Sequence, residues 1–279
     1  MRGGGRGLRE RGLWGVASAL AVLYALTPLA WLLSLSLKRP GDLADRRFVP
    51  QAVTLESYRR LFDDDRFLSA LVNSVGVASL TTVLAVALAA AAAYAIVRLE
   101  VPGGRAVLAG ALAVVMFPPI SVVGPLFDLW RLIGLYDTWP GLVIPYMTFA
   151  LPLALWILTS FFREIPWELE GAARLDGATR LQALRRVVLP LAAPALVTTA
   201  ILVFVFAWNE FLFALSLTST ERARTVPAAL AFFAGESRFQ EPTGTIAAAA
   251  VVVTVPVTGV VLLFQRRIVA GLTAGAVKG

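Results

Sequence analysis

Neither histidine nor cysteine occurs in the 279 residues, and lysine occurs twice, as Lys38 and Lys278. A Ser-His-Asp triad, a Cys-His pair, a thiolate nucleophile and any His/Cys metal site are therefore excluded. Neither lysine follows a glycine, so there is no G-x-x-x-x-G-K-[ST] loop to cradle nucleotide phosphates. If ATP drives this protein, another chain binds it. Two groupings of the remaining polar residues stand apart by type and spacing. The first is Trp208-Asn209-Glu210, where a carboxylate sits inside a long apolar run. An asparagine both donates and accepts, and an indole offers a flat apolar face. Such a group could hold a polar solute that both donates and accepts hydrogen bonds. The second is the charged stretch Arg163–Pro190, with Glu168 and Glu170 two apart and Asp176-Gly177 beyond them.

The elements that must position these groups are membrane spans. Length alone suggests one or two domains, but composition overrides it. Hydrophobic residues make up 58% and charged residues 15%, with a mean hydropathy of +0.76. A soluble domain runs about 45–50% apolar and about 25% charged. The isoelectric point near 10.5 would fit a nucleic-acid binder, yet the charges fall in short stretches between long apolar runs, so no nucleic acid is expected. Uncharged runs cover Leu13–Leu37, Phe67–Val97, Ala106–Phe127, Thr138–Phe162, Val187–Asn209 (continuing past Glu210 to Leu217) and Pro242–Gln265. Each approaches or exceeds the roughly 20 helical residues that cross a bilayer. The alternation of a β-barrel is missing. The reading is all-α: one transmembrane domain, residues 1–279, with six spans at about 13–37, 68–97, 106–130, 140–162, 193–217 and 244–264. Arg2, Arg6, Arg9 and Arg11 look like the start of a signal peptide. The apolar run after them is longer than the roughly 7–15 residues of a signal core, so a retained first span is expected.

Arg163–Pro190, between spans 4 and 5, reads as helix, turn, helix. Pro166 suits a first helical residue, and Glu168 and Glu170 lie where the helix dipole favours negative charge. Gly177 ends the first helix. Thr179 and Gln182 form a T-x-x-Q capping box for the second, and Pro190 breaks it. Leu181, Leu184 and Val188 give one apolar face. Physics alone leaves a linker lying at the interface and a docking knob for a cytoplasmic partner equally open.

The stretch Leu169–Pro190 resembles the E-A-A-x-x-x-G loop of ABC importer permeases, with matches at Ala172, Ala173, Asp176, Gly177, Leu189 and Pro190. The family's glutamate falls on Gly171, with Glu170 one residue earlier. Residues 134–141 (GLYDTWPG), 165–170 (IPWELE) and 206–211 (FAWNEF) resemble the carbohydrate, MalG-like branch, and 241–246 and 264–273 resemble the second permease subunit of trehalose importers. The resemblance implies a non-catalytic permease with no cofactor and a sugar, such as the disaccharide trehalose, as cargo. It also implies a second permease subunit, two cytoplasmic ATP-binding subunits and an extracytoplasmic sugar-binding lipoprotein. Glu168, Glu170, Ala172, Ala173, Asp176, Gly177, Leu189 and Pro190 become the candidate ATPase-coupling residues. The stretch Thr218–Thr243, with Phe232, Phe233, Glu236, Arg238 and Glu241, resembles a region that meets the binding protein, and the tail Gln265–Gly279 one that reaches toward the ATPases.

A polar cargo needs a path, and proline-broken helices mark candidate walls. Phe117-Pro118-Pro119 and Gly124-Pro125 place two expected breaks in span 3. Pro145, Pro152 and Pro256 are further candidates, with a simple kink preferred at Pro256. Trp208, Asn209, Glu210, Phe117, Pro118 and Pro119 form the expected substrate path. Glu210 could equally be solvated near the outer end or pair with the partner permease. Ala85, Ala89 and Ala93 are spaced for close helix packing. Six spans put both termini on one side, which carries 14 basic residues against 11 on the other. The positive-inside rule then places both termini in the cytoplasm of a bacterial cell. An ion-coupled secondary transporter is the competing reading. It would need internal repeats and buried ionisable groups, and Glu210 alone qualifies. A membrane enzyme would lack chemistry.

Overall fold

A computed structural model describes the backbone of residues 4–45, 47–233 and 243–274, and the side chains of 13–45, 47–232 and 243–264. Among the described residues every regular element is a helix: α1 Gly4–Ser36, α2 Glu56–Phe62, α3 Asp65–Arg98, α4 Gly104–Val115, α5 Ile120–Ile133, α6 Trp139–Glu164, α7 Trp167–Leu175, α8 Arg180–Ala183, α9 Leu189–Leu191, α10 Ala193–Trp208, α11 Leu212–Leu217, α12 Val226–Phe233 and α13 Thr243–Ala274. A short 3-10 turn covers Pro40–Asp42, and a π-helical turn, Leu184–Val188, joins α8 to α9. Glu236, Arg238 and Glu241, and the side chains of Phe233 and of the tail Gln265–Gly279, lie outside the described residues.

Four described stretches are long and apolar enough to cross a membrane: Leu13–Ser36, Asp65–Arg98, Trp139–Glu164 and Thr243–Phe264. Two bent pairs, α4 with α5 at 93° and Arg180–Leu191 with α10 at 75°, bring the number to as many as six if each is one span. The chain divides into two compact units, residues 1–65 with 230–255 and residues 66–229 with 256–279.

In the first unit α1 exposes apolar side chains around its circumference, as a helix facing lipid does. The segment after it folds back on its end. Lys38, with no exposed side-chain surface, holds Asp45 at 2.5 Å and donates to the Arg47 carbonyl at 2.6 Å. Its ammonium lies 5.4 Å from the Trp31 ring centre. Lys38 is therefore an internal clamp of this segment.

In the second unit α3 and α6 run side by side in the same direction and are tied at both ends. Trp139 at the start of α6 donates to Asn73 near the start of α3, and Arg98 at the end of α3 donates to the Phe162 carbonyl near the end of α6. At 1.5 Å per residue, the 34 residues of α3 reach about 51 Å, beyond the roughly 30 Å hydrocarbon layer. Between the ends, Ala85, Ala89 and Ala93 of α3, Ala150 and Ala154 of α6, and Ala195 and Val203 of α10 belong to one buried cluster. With no hydrophobic drive between helices in lipid, small residues that let backbones approach hold such a bundle together.

Span 3 breaks once rather than twice. The chain bends at 116–119, between α4 and α5, while α5 runs on through Pro125. Gly124 has no Cβ, so the clash that proline imposes on its predecessor is relieved. Nor do Pro145 and Pro152 break α6, in which both are buried. Neighbouring helices support them, as they do prolines in other membrane spans.

Candidate functional site

The helix-turn-helix forms as its spacing predicts. Gly177 adopts φ +88°, the left-handed conformation that glycine tolerates. Ala178 donates to the Ala173 carbonyl at 3.0 Å and Gly177 to that of Arg174 at 3.1 Å, the paired bonds of a Schellman ending. Both halves of the capping box are made: Thr179 N–H to Gln182 Oε1 at 2.8 Å, and Gln182 N–H to Thr179 Oγ1 at 3.3 Å. Two prolines depart from expectation: Pro166 caps α7 instead of opening it, and Pro190 does not break the second helix, which runs on through it to Leu191 because a proline early in a helical turn has no N–H to leave unpaired.

The candidate coupling residues lie on one contiguous element with two faces. Glu168, Ala172, Asp176, Gly177 and Pro190 are exposed, while Ala173 and Leu189 are half-buried. At the tip, next to the Asp176-Gly177 turn, Leu175 is 91% exposed. Glu170 faces the other way. Its Oε1 accepts from the Tyr94 hydroxyl at 2.6 Å, and its Oε2 lies 3.9 Å from Arg98 Nε. The Arg98 guanidinium sits 4.5 Å from the Trp167 ring centre and donates through Nη2 to the Phe162 and Ile165 carbonyls at 3.0 and 2.5 Å. Sequence reasoning passed over Tyr94 and Arg98. Their signal was a tyrosine and an arginine one helical turn apart, at the end of the longest uncharged run.

The second grouping is placed differently from what its residue types suggest. Trp208 is 2% exposed and stacks on Phe204 at 5.7 Å, so its ring is taken up inside the bundle. Glu210 accepts from the backbone N–H groups of Phe213 at 2.9 Å and Ala214 at 3.2 Å, capping α11 after the chain breaks at Asn209–Phe211. Asn209 is exposed, and its amide donates to the Val205 carbonyl at 2.7 Å. That leaves its Oδ1 free to accept. At the other break Phe117 and Pro118 are exposed and Pro119 half-buried. Among the described residues no hydrogen bond or ion pair joins 117–119 to 208–210.

A polar lattice at the starts of α3 and α6 was not foreseen. Asp137, at φ +58°, accepts from the Ser219 and Thr220 N–H groups at 3.1 and 3.2 Å and from the Thr220 hydroxyl. Asn73 donates to the Glu221 and Arg224 carbonyls at 2.7 and 3.0 Å, and Ser74 accepts from Val226 N–H at 2.7 Å. Gly141 closes the turn, because a Cβ there would run into the Leu135 carbonyl.

A family model described as "Binding-protein-dependent transport system inner membrane component" matches residues 85–273. The sequence is 58% identical over 273 residues, 98% of this chain and 100% of the relative, to the trehalose transport system permease protein SugB of Mycobacterium tuberculosis (strain CDC 1551 / Oshkosh). It is 42% identical over 266 residues, 95% of each, to the trehalose/maltose transport system permease protein MalG of Thermococcus litoralis. Among solved structures, a chain of a bacterial ABC transporter involved in the import of the acidic polysaccharide alginate matches with a TM-score of 0.75 at 25% identity, over 92% of this chain and 97% of that one.

Proposed function

The chain belongs to the binding-protein-dependent transport system inner membrane components, and from that premise we propose that it forms, with a second permease subunit, the membrane path of an ATP-driven trehalose importer. It is a non-catalytic, multi-pass permease subunit of the cytoplasmic membrane. The 58% identity over nearly the whole chain supports trehalose as the cargo. Six spans, with both bent pairs crossing, set the termini and the 163–190 element on one side, which we assign to the cytoplasm. The larger number of basic residues in the connections on that side, 14 against 11, favours this orientation.

The element is the docking knob for one of two cytoplasmic ATP-binding subunits. Exposed Leu175 carries that reading. Outside hydrocarbon an exposed leucine is worth about 1.5–3 kcal/mol if a partner buries it, and a rigid Schellman turn holds it at the tip. ATP binding draws the two ATPases together, the knobs move with them, and the bundle turns from inward- to outward-facing. A sugar-binding lipoprotein then delivers cargo at the far end, where Asn209 Oδ1 is available to a sugar hydroxyl. The family match to binding-protein-dependent permeases disfavours an ion-coupled transporter.

Detergent extraction is expected to recover the chain with an ATPase and a second permease. In Leu175→Asp the chain is recovered in normal amount, while ATPase retention weakens by about tenfold or more. Recovery of the wild-type chain alone, or unchanged retention in the variant, defeats the docking reading.

A further inference from the structure

The buried face of the docking element holds a cluster whose hydrogen bonds are incomplete. The Arg98 side chain has no exposed surface and that of Glu170 is nearly as enclosed. Yet Arg98 Nε, Arg98 Nη1 and Glu170 Oε2 make no hydrogen bond. Buried polar atoms are paired in the great majority of cases. Three orphans within one oppositely charged pair therefore call for an explanation. Charge-assisted bonds of this type close at about 2.7–2.9 Å, so Glu170 Oε2 stands about 1 Å short of Arg98 Nε.

Tyr94 has the complementary surplus. Its hydroxyl carries one proton but lies 2.6 Å from Glu170 Oε1 and 3.2 Å from the Arg180 carbonyl. It can donate to one of them at a time. Two pairings can thus be written for the same groups. In the first, present here, Tyr94 donates to Glu170 and Arg98 holds the Phe162 and Ile165 carbonyls. In the second, Glu170 closes on Arg98 Nε and the Tyr94 hydroxyl turns to the Arg180 carbonyl. A cavity of about 570 Å³ lined by Val97, Gly104, Arg105, Arg163 and Trp167 lies beside the Trp167 ring on which Arg98 stacks.

We propose that Tyr94, Arg98 and Glu170 are a two-position clasp that carries displacement of the docked element into α3 and α6. The proposal rests on the docking reading and extends it inward. Tyr94 and Arg98 belong to α3, the two carbonyls to the end of α6 and the residue after it, and Glu170 to α7. A shift of α7 thus reaches both parallel helices through groups that have two arrangements, which is what coupling between distant sites requires. These are positioning residues, touching neither ATP nor sugar. The clasp also gives Glu170 a use in a chain that has Gly171 where its relatives' motif carries glutamate.

The test is sugar imported per ATP hydrolysed, in proteoliposomes holding the whole transporter and its binding protein, normalised to assembled complex. Glu170→Gln leaves Tyr94 an acceptor but cannot pair with Arg98. It is expected to lower sugar per ATP about tenfold, the shift that loss of one charge-assisted bond gives a two-state equilibrium. Arg98→Gln should match it, and the double variant should be no worse than either single change. Should Arg98→Gln fail to assemble, Arg98→Lys takes its place. Full coupling in Glu170→Gln overturns the clasp, and so do losses that add in the double variant. Less assembled complex with unchanged sugar per ATP also overturns it, because that is what a purely structural role produces. A wild-type chain that retains no ATPase removes the docking reading and the clasp together.

Discussion

Trp139 donates its indole N–H to Asn73 Oδ1 at 2.8 Å, and the same ring lies against Gly76, one turn further along α3. The two residues are 66 positions apart, and their contact fixes the start of α6 against α3. A Cβ at position 76 would come within 2.1 Å of the edge of the six-membered ring. Gly76→Ala is expected to destabilise the protein by about 1–3 kcal/mol through overpacking, read as a lower unfolding temperature in detergent. Asn73→Ala should cost a similar amount, about 1–3 kcal/mol, by leaving the half-buried indole N–H and the Glu221 and Arg224 carbonyls without this partner.

Gly177 carries φ +88°, and its N–H donates to the Arg174 carbonyl. Proline can supply neither the dihedral nor the donor. In Gly177→Pro, and in the charge reversal Asp176→Lys beside it, the chain should still reach the membrane while uptake is abolished or nearly so. Uptake of labelled sugar by cells, scaled to membrane-fraction protein, decides the matter. Normal uptake in both variants would falsify the coupling role of the turn.

Asn209 offers Oδ1 toward the exposed side of α10 while its amide is held by Val205. Asn209→Leu removes that acceptor. Sugar uptake should fall about two- to tenfold, the worth of one hydrogen bond, with ATPase retention unchanged. Kinetics identical to wild type would mean that the cargo does not meet this side of the path.

The Lys38–Asp45 clamp sets a pH dependence. Its hydrogen bond to Lys38, reinforced by the Arg47 backbone N–H, holds the Asp45 carboxyl below its ordinary value of 3.8. The unfolded segment then binds a proton more readily than the folded one. The clamp's stabilisation is therefore fully present above about pH 4 and is lost as the pH falls through the lower folded value. Amide hydrogen exchange over residues 37–55, corrected for intrinsic rates, should speed up in that acid range. In Asp45→Asn the segment should exchange faster at neutral pH and show no such acid step. An unchanged profile in that variant would remove the clamp.

Much of this molecule could be read from its residues one after another. Six apolar runs, the Thr179/Gln182 capping box, the Gly177 turn and the packing alanines at 85, 89 and 93 are local patterns. Local patterns survive folding because their partners lie within a few residues or within the lipid itself. The same local reasoning overstated Pro125, Pro145 and Pro152, because a proline breaks a helix only when its neighbours do not support the freed backbone.

What the sequence by itself determined was a helical membrane protein without histidine or cysteine chemistry, with a charged knob between its fourth and fifth runs. Which way each polar side chain turned was decided only by the tertiary structure. Glu168 and Glu170 look alike along the chain, yet one faces water and the other is enclosed by Tyr94 and Arg98 from more than 70 residues away. Trp208 and Glu210 stand two apart in the chain, yet Phe204 stacks on the ring of one and the α11 amides donate to the carboxylate of the other. The reason is physical: a buried polar group goes wherever its charge and hydrogen bonds can be met, and in a bundle those partners come from helices that are distant in the chain.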